Sequence, residues 1–589
     1  MVERSQRKLG ESLWSRAGAT NILRLAPSTW AVIALVGVVA YLIGTPLFGL
    51  LLGSITDTPP GVSPHFTLSS LAYAYGEYEH FISLRNSIAF AGLTATLVLI
   101  LGGGLAWAAA RTDSMVRHFV DLFALAPILI PSVVFVSGWI LLLGPKNGFL
   151  NLLLMQYFGV QNPPFNVYSF WGMIWVATLQ ELPLAFLWLW PAFRAMNPDL
   201  EEAALMVGAS PGMIMRRISL PLLRPALLSA WIIFFIYSIG ALMVPLMIGL
   251  PSRIILYSTE IYLAAHRVPS DLNLASAYSL LVLITSFLGI YAYRRSVHDT
   301  ARFATVTGKA FNPRVTLLGR WRTPVTAFAV LILLLAAGLP ILVLVWNAFM
   351  PFPQAPSARS LELATLANFR AALAYGPAVR ALVNSVWLGF ASGLIATMLG
   401  VLIAWSTVRL RRPRWALAAL DQLSTLPIAM PGMIIGVSLL LFYLMVPLPI
   451  YGTGGLFLIA YVTLHLPYAV RICASGILQL HQELEEMGRV AGASWMVVFR
   501  RIVLGLMAPS LLASLLYVAL RSFREYAASI FLAAPGTEVF SVLVLDMWDT
   551  GNFSTLSAYV TMVVALLGTI VVVFGWLMRW LGGQMTRTS

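Results

Sequence analysis

The chain has 589 residues, of which 59% are hydrophobic and only 10% charged. Soluble domains carry about 25% charged residues, so a water-soluble globular fold is excluded and most of the chain belongs in lipid. The formal charge of +14 would suit a nucleic-acid binder, but the basic residues are confined to alternate loops, a distribution that membrane orientation explains without nucleic acid.

Residues 1–27 form a basic N-terminal segment carrying Arg4, Arg7, Lys8, Arg16 and Arg24. The apolar run behind it is too long for a signal-peptide core and has no small-residue cleavage site, so it is expected to stay as a helix. About 20 apolar residues, at 1.5 Å each, cross roughly 30 Å of hydrocarbon. Twelve such runs follow one another, centred on Val38, Leu97, Val133, Trp175, Phe235, Ile284, Leu334, Leu394, Ile435, Tyr461, Leu516 and Val564. The expected fold class is an all-α polytopic membrane protein in a lipid bilayer.

Basic residues mark every second loop. Arg111 and Arg117 follow the second run, and Arg194, Arg216, Arg217 and Arg224 flank the loop after the fourth. Arg294, Arg295, Arg302, Lys309, Arg314, Arg320 and Arg322 fill the centre of the chain. Arg409, Arg411, Arg412 and Arg414, then Arg489, Arg500 and Arg501, continue the pattern. The positive-inside rule places these loops, and both termini, in the cytoplasm of a bacterial inner membrane. The lone Cys473 has neither a disulfide partner nor a metal-ligand companion and reads as a small buried apolar residue.

The chain repeats itself once. Asn86-Ser87, Trp107 and Arg111 recur as Asn384-Ser385, Trp405 and Arg409 at an offset of 298, and Pro127 and Pro131 recur as Pro427 and Pro431 at 300. Pro183 and Gly208 recur as Pro467 and Gly492 at 284, and Ser276-Ala277-Tyr278 as Ser557-Ala558-Tyr559 at 281. The fall from 300 to 284 assigns the first copy a longer external loop, near Lys146 to Val167. An even number of runs per copy makes the repeats parallel. The expected organisation is a first six-helix half over 28–295, a cytoplasmic linker over 296–323 and a second half over 324–589. Duplication for packing and duplication around a central pathway both fit this pattern.

The loop after the fourth run, Asn197 to Ser210, reads as helix, turn, helix. Asn197 suits an N-cap with Pro198 behind it, Asp199 and Glu201 complement the helix dipole, and Gly208 suits the left-handed position that ends a helix. Leu200, Ala203, Ala204 and Val207 share one narrow apolar face. The second half repeats the plan: Leu484, Met487, Gly488 and Ala491 form the face, Glu485 and Glu486 an acidic edge, and Gly492-Ala493-Ser494 the turn. Arginine pairs, Arg216-Arg217 and Arg500-Arg501, lead on to Pro225 and Pro509. A short amphipathic helix of this kind fits a groove on another protein or packs back on its own bundle.

Glu201-Glu202-Ala203-Ala204, then Gly208-Ala209-Ser210, with Ile218, Leu220-Pro221 and Pro225 downstream, resembles the EAA loop of binding-protein-dependent ABC importer permeases. The second copy keeps Glu485, Glu486, Gly492, Ala493, Ser494, Ile502 and Leu504 but has Met487 and Gly488 for the two alanines and Gly505 for a proline. The resemblance covers both halves and implies a type I ABC importer transmembrane domain whose EAA loops are coupling helices. It further implies a cytoplasmic ABC ATPase homodimer holding ATP and magnesium, and a periplasmic or extracellular substrate-binding protein. One chain would supply both permease halves and bind no cofactor itself. Fused two-half chains look most like ferric-iron importer permeases, with thiamin, phosphonate and sugar-phosphate importers as relatives, and Val306-Thr307-Gly308-Lys309 resembles the iron branch.

Charged groups in hydrocarbon are costly and therefore candidates for function. Glu181 lies in the fourth run and the repeat puts His465 at the matching place in the tenth, as a pathway-lining pair or as caps for backbone freed by Pro183 and Pro467. Arg471 is placed to snorkel, and Arg521, Arg524 and Glu525 end the eleventh run as an ion-pair network or a pathway wall. Gly249, Pro251 and Glu260-Ile261-Tyr262, with Pro535, Gly536 and Glu538, form loops open to a docking binding protein or to solvent. No GxxxxGK[ST] phosphate loop and no metal-ligand or nucleophile spacing occurs, so hydrolysis is expected from a partner and an enzyme is disfavoured. An ion-coupled secondary transporter remains the alternative that the twelve runs alone allow.

Overall fold

The computed structural model describes residues 27–60, 62–120, 130–196, 199–298, 315–446 and 448–585. The basic N-terminal arginines and lysine, Pro127, Asn197-Pro198, and residues 299–314 with Arg302, Lys309, Arg314 and the Val306–Lys309 string lie outside the described residues.

Nine helices are long and apolar enough to cross a membrane, among the described residues. They are α1 (Pro27–Ser54), α2 (Tyr78–Arg111), α4 (Phe170–Arg194), α6 (Gly212–Ile239), α8 (Leu272–His298), α9 (Gly319–Phe349), α10 (Gly376–Arg409), α13 (Gly454–Leu478) and α18 (Phe553–Met585). Between them lie α3 (Ser132–Leu143), α5 (Asp199–Met206), α7 (Tyr257–His266), α11 (Arg414–Ala429), α12 (Gly432–Met445), α14 (Gln482–Val490), α15 (Trp495–Leu506), α16 (Ala508–Phe523) and α17 (Phe540–Asp549). Each of the nine long helices contains one of the predicted centres. The other three centres fall on broken or short helices. Ile435 lies on a pair, α11 and α12, bent by 106° at Met430-Pro431, and Leu516 on a pair, α15 and α16, bent by 72° at Met507. Val133 lies on α3, whose 12 residues reach only about 18 Å.

Proline explains the first break, since Pro431 has no N–H to give and stands at the N-cap of α12. The second has no counterpart in the first half, where residues 212–239 form one span although Pro225 there matches Pro509, two residues beyond the break. In place of Pro221, which lies just beyond a π-helical turn, the second half has Gly505, with glycine's poor helix propensity.

The described residues pack as two units, one built from those within Pro46–Ser392, Ala429–Leu464 and Ala519–Ser589, the other from those within Met1–Thr45, Gly393–Ile428 and His465–Val518. The larger unit is organised on α2 against α4, with α6 alongside. At the centre of that crossing, a Cβ on Gly102 would come within 2.8 Å of the Ala185 Cβ. The smaller unit repeats the contact at the matching residues, with a Cβ on Gly400 falling 2.9 Å from the Ala469 carbonyl carbon. Helices in lipid gain no hydrophobic attraction for each other, so small residues that let backbones touch supply the packing. Cys473 is buried in this second cluster with Val401, Trp405, Ile477 and Phe499. Gly102→Leu and Gly400→Leu are each expected to cost about 1–3 kcal/mol, measured as thermal unfolding in nanodiscs. Gly104→Leu, where a Cβ meets nothing, should leave the transition unmoved or raise it.

The repeat markers hold matching parts together. In the first half the Asn86 amide donates to the Ile255 carbonyl and the Tyr257 N–H donates to Ser87 Oγ, tying the loop before α7 to the start of α2. In the second half Asn384 donates to the Gly536 and Glu538 carbonyls, and Phe540 N–H donates to Ser385 Oγ at 2.7 Å. The described part of the segment expected as a linker is also anchored: Thr316 N–H donates to the Arg111 carbonyl and Leu318 N–H to Asp113 Oδ1, both at the C-terminal end of α2.

Candidate functional site

The two loops fold alike. Helix α5 ends on Gly208 at φ +83° and α14 ends at Gly492, also at φ +83°. At the first, Ala209 N–H reaches the Ala204 carbonyl and Gly208 N–H the Leu205 carbonyl; at the second, Ala493 reaches Gly488 and Gly492 reaches Arg489. This double bond is the Schellman ending, which needs a left-handed residue and favours glycine. A π-helical turn then follows at the same register in both, Met215–Ser219 and Phe499–Val503.

The faces differ from those expected. On α5 Glu201 is buried, with Ala204 and Leu205 half-buried beside it, while Leu200, Ala203, Met206 and Val207 are exposed. On α14 Glu485 is buried and Gly488 half-buried, leaving Leu484, Met487, Val490 and Ala491 outside. Ala204 and Gly488 therefore separate from the rest of the predicted apolar face and join the inner one. Glu202 and Glu486 are exposed as an acidic edge, whereas Glu201 and Glu485 turn inward. Gly488 also has a packing reason: a Cβ there would stand 2.8 Å from Ile502 Cδ1 and 3.0 Å from Val498 Cγ2, too close for alanine without movement.

The inward carboxylates explain the reversal. Arg111, only 2% exposed, pairs through Nη2 with Glu201 Oε2, and Ser219 Oγ donates to Glu201 Oε1 at 2.7 Å. In the second half Arg409 Nε donates to Glu485 Oε1 at 2.8 Å and Trp405 Nε1 donates to Glu485 Oε2 at 3.1 Å. Arg409 also reaches the Ile477 and Leu480 carbonyls at the end of α13. Each loop helix is thus tied to the last arginine of the long helix two spans earlier. The arginines were visible in the sequence as repeat markers and loop charges, but only the fold brings them to the glutamates. Beside the first pair lies a cavity of about 330 Å³ lined by Trp107, Leu205, Met215 and the linker residues Thr316 and Leu317.

A second polar site lies in the larger unit. Both fifth spans lose their helix at matching positions: α6 ends before Gly240-Ala241-Leu242, and α16 before Arg524-Glu525-Tyr526. Irregular backbone at membrane depth is tolerated where it lines a cavity. Both segments do, bounding a space of about 230 Å³ together with Ser132, Gln180 and Glu181. Arg524 Nη2 donates to the Ile130 carbonyl, and Gln180 donates to Ser132 Oγ. Two glycines permit the close approach, since a Cβ on Gly240 would meet Pro431 Cγ at 2.7 Å and one on Gly432 would meet Glu525 Oε1 at 2.6 Å. Glu181, Arg521, Arg524 and Glu525 are thereby brought together. His465 belongs to the smaller unit, buried beside Tyr468, and Arg471 is exposed.

Of the loop residues after the fifth spans, Glu260 is internal: its Oε1 accepts from Ser83 Oγ at 2.9 Å and lies 3.4 Å from His80 Nδ1. Glu538 accepts the Gly536 N–H. Nearby, Tyr262 and His266 stack with ring centroids 4.2 Å apart, and burial lowers the His266 imidazole below its ordinary value. Burial, then the charges of Asp549 and Glu538, raise the Asp546 carboxyl. No group of three or more His, Cys, Asp or Glu forms a metal-ligand set among the described residues.

The family described as binding-protein-dependent transport system inner membrane component matches residues 100–300 and again 396–587. Over 502 residues the chain is 27% identical to the ferric transport system permease protein FbpB of Actinobacillus pleuropneumoniae, covering 84% of this chain and 71% of that one. It is 28% identical over 467 residues to the putative ferric transport system permease protein FbpB 1 of Haemophilus influenzae, covering 78% and 71%. Over 219 residues it is 27% identical to the molybdenum transport system permease protein ModB of Azotobacter vinelandii, covering 35% of this chain and 95% of the relative. One family matched once in each half, on a helical membrane chain with a repeated loop, makes the assignment: the chain belongs to the inner membrane components of binding-protein-dependent transport systems, as a fused two-half ABC importer permease.

Proposed function

We propose that this chain, through its halves 28–295 and 324–589, forms the whole membrane pathway of an ATP-driven importer. A homodimeric cytoplasmic ATPase, with ATP and magnesium on its own subunits, docks on α5 and α14, and a binding protein delivers cargo from the opposite side. Both termini and the linker face the cytoplasm. The observation that carries this is the pair of matching loops, each anchored inward by a buried glutamate and presenting exposed apolar side chains, Met206 and Val207 in one and Met487 and Val490 in the other. ATP-driven approach of the two ATPase subunits would draw the loop helices together and, through the arginine ties, move the long helices behind them. Ferric iron is the proposed cargo, supported by the named function of the two-half relatives.

The test is uptake of radioactive iron by proteoliposomes holding this chain, its ATPase and its binding protein. ATP on the ATPase side should drive uptake, and an imposed proton or sodium gradient without ATP should not. Gradient-driven uptake in the absence of ATP would instead establish a secondary transporter.

A further inference from the structure

The cavity at the broken fifth spans carries charge on one side of the repeat only. At an offset of 284, Arg521, Arg524 and Glu525 correspond to Tyr237, Gly240 and Ala241. Both sets line the same space, so the first half meets the charges of the second with neutral counterparts and with its own Glu181 from α4. All of these residues belong to the larger unit.

The two walls differ chemically. The first-half wall is rich in acceptors: Gln180 Oε1 and Glu181 Oε2 are buried and accept no hydrogen bond within the described residues. The second-half wall presents two guanidiniums, which carry only donors. Its carboxylate is already engaged, since Glu525 Oε1 accepts the Ala528 N–H at 3.2 Å. Tyr526, 4% exposed, adds a buried hydroxyl without a hydrogen-bond partner among the described residues. Buried polar atoms left unsatisfied are costly, so their convergence on one cavity marks a place built for a polar occupant.

The formal charges of Glu181, Glu525, Arg521 and Arg524 sum to zero, so the cavity offers little net attraction to a bare cation or a bare anion. Its opposed walls complement a cargo with both signs. A naked ferric ion is a poor fit, facing two arginines and no set of three ligands among the described residues. Resting on the permease function proposed above, we infer that this cavity is a transport subsite for a charge-compensated, dipolar solute: an oxyanion held by Arg521 and Arg524, with its metal or ammonium partner toward Glu181 and Gln180. Iron would then cross as a complex with an oxyanion ligand.

Equilibrium dialysis of the full chain in nanodiscs, with ferric citrate, 2-aminoethylphosphonate and molybdate as probes, tests this. The two dipolar probes should bind the unaltered chain more tightly than molybdate, and their Kd should rise about tenfold in both Arg521→Gln and Glu181→Gln. Molybdate, a pure anion, should bind about threefold tighter in Glu181→Gln. Arg521→Lys, which keeps the charge, should retain most of the dipolar affinity and shows that any loss in Arg521→Gln is not misfolding. Failure of both dipolar probes to bind at millimolar concentration, an unchanged Kd in either Gln variant, or weaker molybdate binding in Glu181→Gln overturns the subsite. ATPase association with the unaltered chain is scored in the same preparation; its loss rejects the permease function itself, whereas its presence beside failed probe binding rejects only the subsite.

Discussion

Arg409→Ala is expected to release the second loop helix from the membrane bundle, at a local cost of about 3–5 kcal/mol. Three acceptors lose a donor at once: Glu485 Oε1 at 2.8 Å, the Leu480 carbonyl at 2.6 Å and the Ile477 carbonyl at 3.2 Å. The carboxylate, 6% exposed, is left buried with only Trp405, and at the end of α13 the Ile477 carbonyl keeps the Leu480 N–H while the Leu480 carbonyl loses its side-chain donor. Amide exchange should accelerate across 482–490 while residues 454–470 stay protected. Arg111→Ala should do the same to 199–206, but more mildly, because beyond Glu201 the Arg111 side chain serves one carbonyl, that of Met196 at 3.4 Å, where Arg409 serves two. Replacing both partners, Arg409→Met with Glu485→Met, should restore much of the protection, since an apolar pair leaves no buried charge. If Arg409→Ala leaves exchange across 482–490 unchanged, the pair does not anchor the loop.

Transport should separate from stability in these variants. The arginine ends a helix of 34 residues, so in the intact protein a displacement of the loop helix reaches the small-residue crossings at Gly102 and Gly400 through one buried ion pair. With the tie cut, the apolar face proposed to receive the ATPase remains, and ATP hydrolysis should persist while uptake falls about tenfold or more. Loss of both together would point to a collapsed loop instead.

How far the sequence reached depends on the range of the interaction concerned. Hydrophobic length located the nine long helices, because crossing lipid needs only local apolar composition, but it also counted Val133, which lies on a helix of 12 residues too short to cross by itself. It did not reveal the 72° break at Met507, since the same local breaker, proline, stands beside the break as Pro509 and at the matching place, as Pro225, in the half that remains unbroken. Gly208 and Gly492 were legible as helix ends because a left-handed residue is a local demand. The orientation of Glu201 and Glu485 was not, because their partners lie 90 and 76 residues away in the chain and the apolar period alone grouped Ala204 and Gly488 with side chains that prove exposed. Asn86-Ser87 and Asn384-Ser385 stood out as repeat markers without a role until the loops they tie were in place. The membrane charges were legible singly, from their cost in lipid; that Glu181 meets Arg521 and Arg524 required the breaks in both fifth spans.

Val207→Glu combined with Val490→Glu is expected to abolish ATPase association while leaving the permease folded. Val207 is 85% exposed and Val490 89% exposed, so a glutamate at either place stays in water in the isolated chain and should change stability by no more than about 0.5 kcal/mol. In the complex these positions would be buried in an apolar cleft, where an unpaired carboxylate costs several kcal/mol, enough for a loss of about 100-fold or more in affinity per loop. Each single substitution should weaken capture of the ATPase by the nanodisc-held chain and halve the docking sites, and the pair should eliminate both capture and cargo-stimulated hydrolysis. Glu202→Gln with Glu486→Gln makes the comparison sharp, because these exposed carboxylates lie beside the same faces without anchoring them; their loss should change the salt dependence of capture more than its strength. Retained capture by the double Val→Glu chain, with its thermal transition unchanged, would place the ATPase contact somewhere other than α5 and α14.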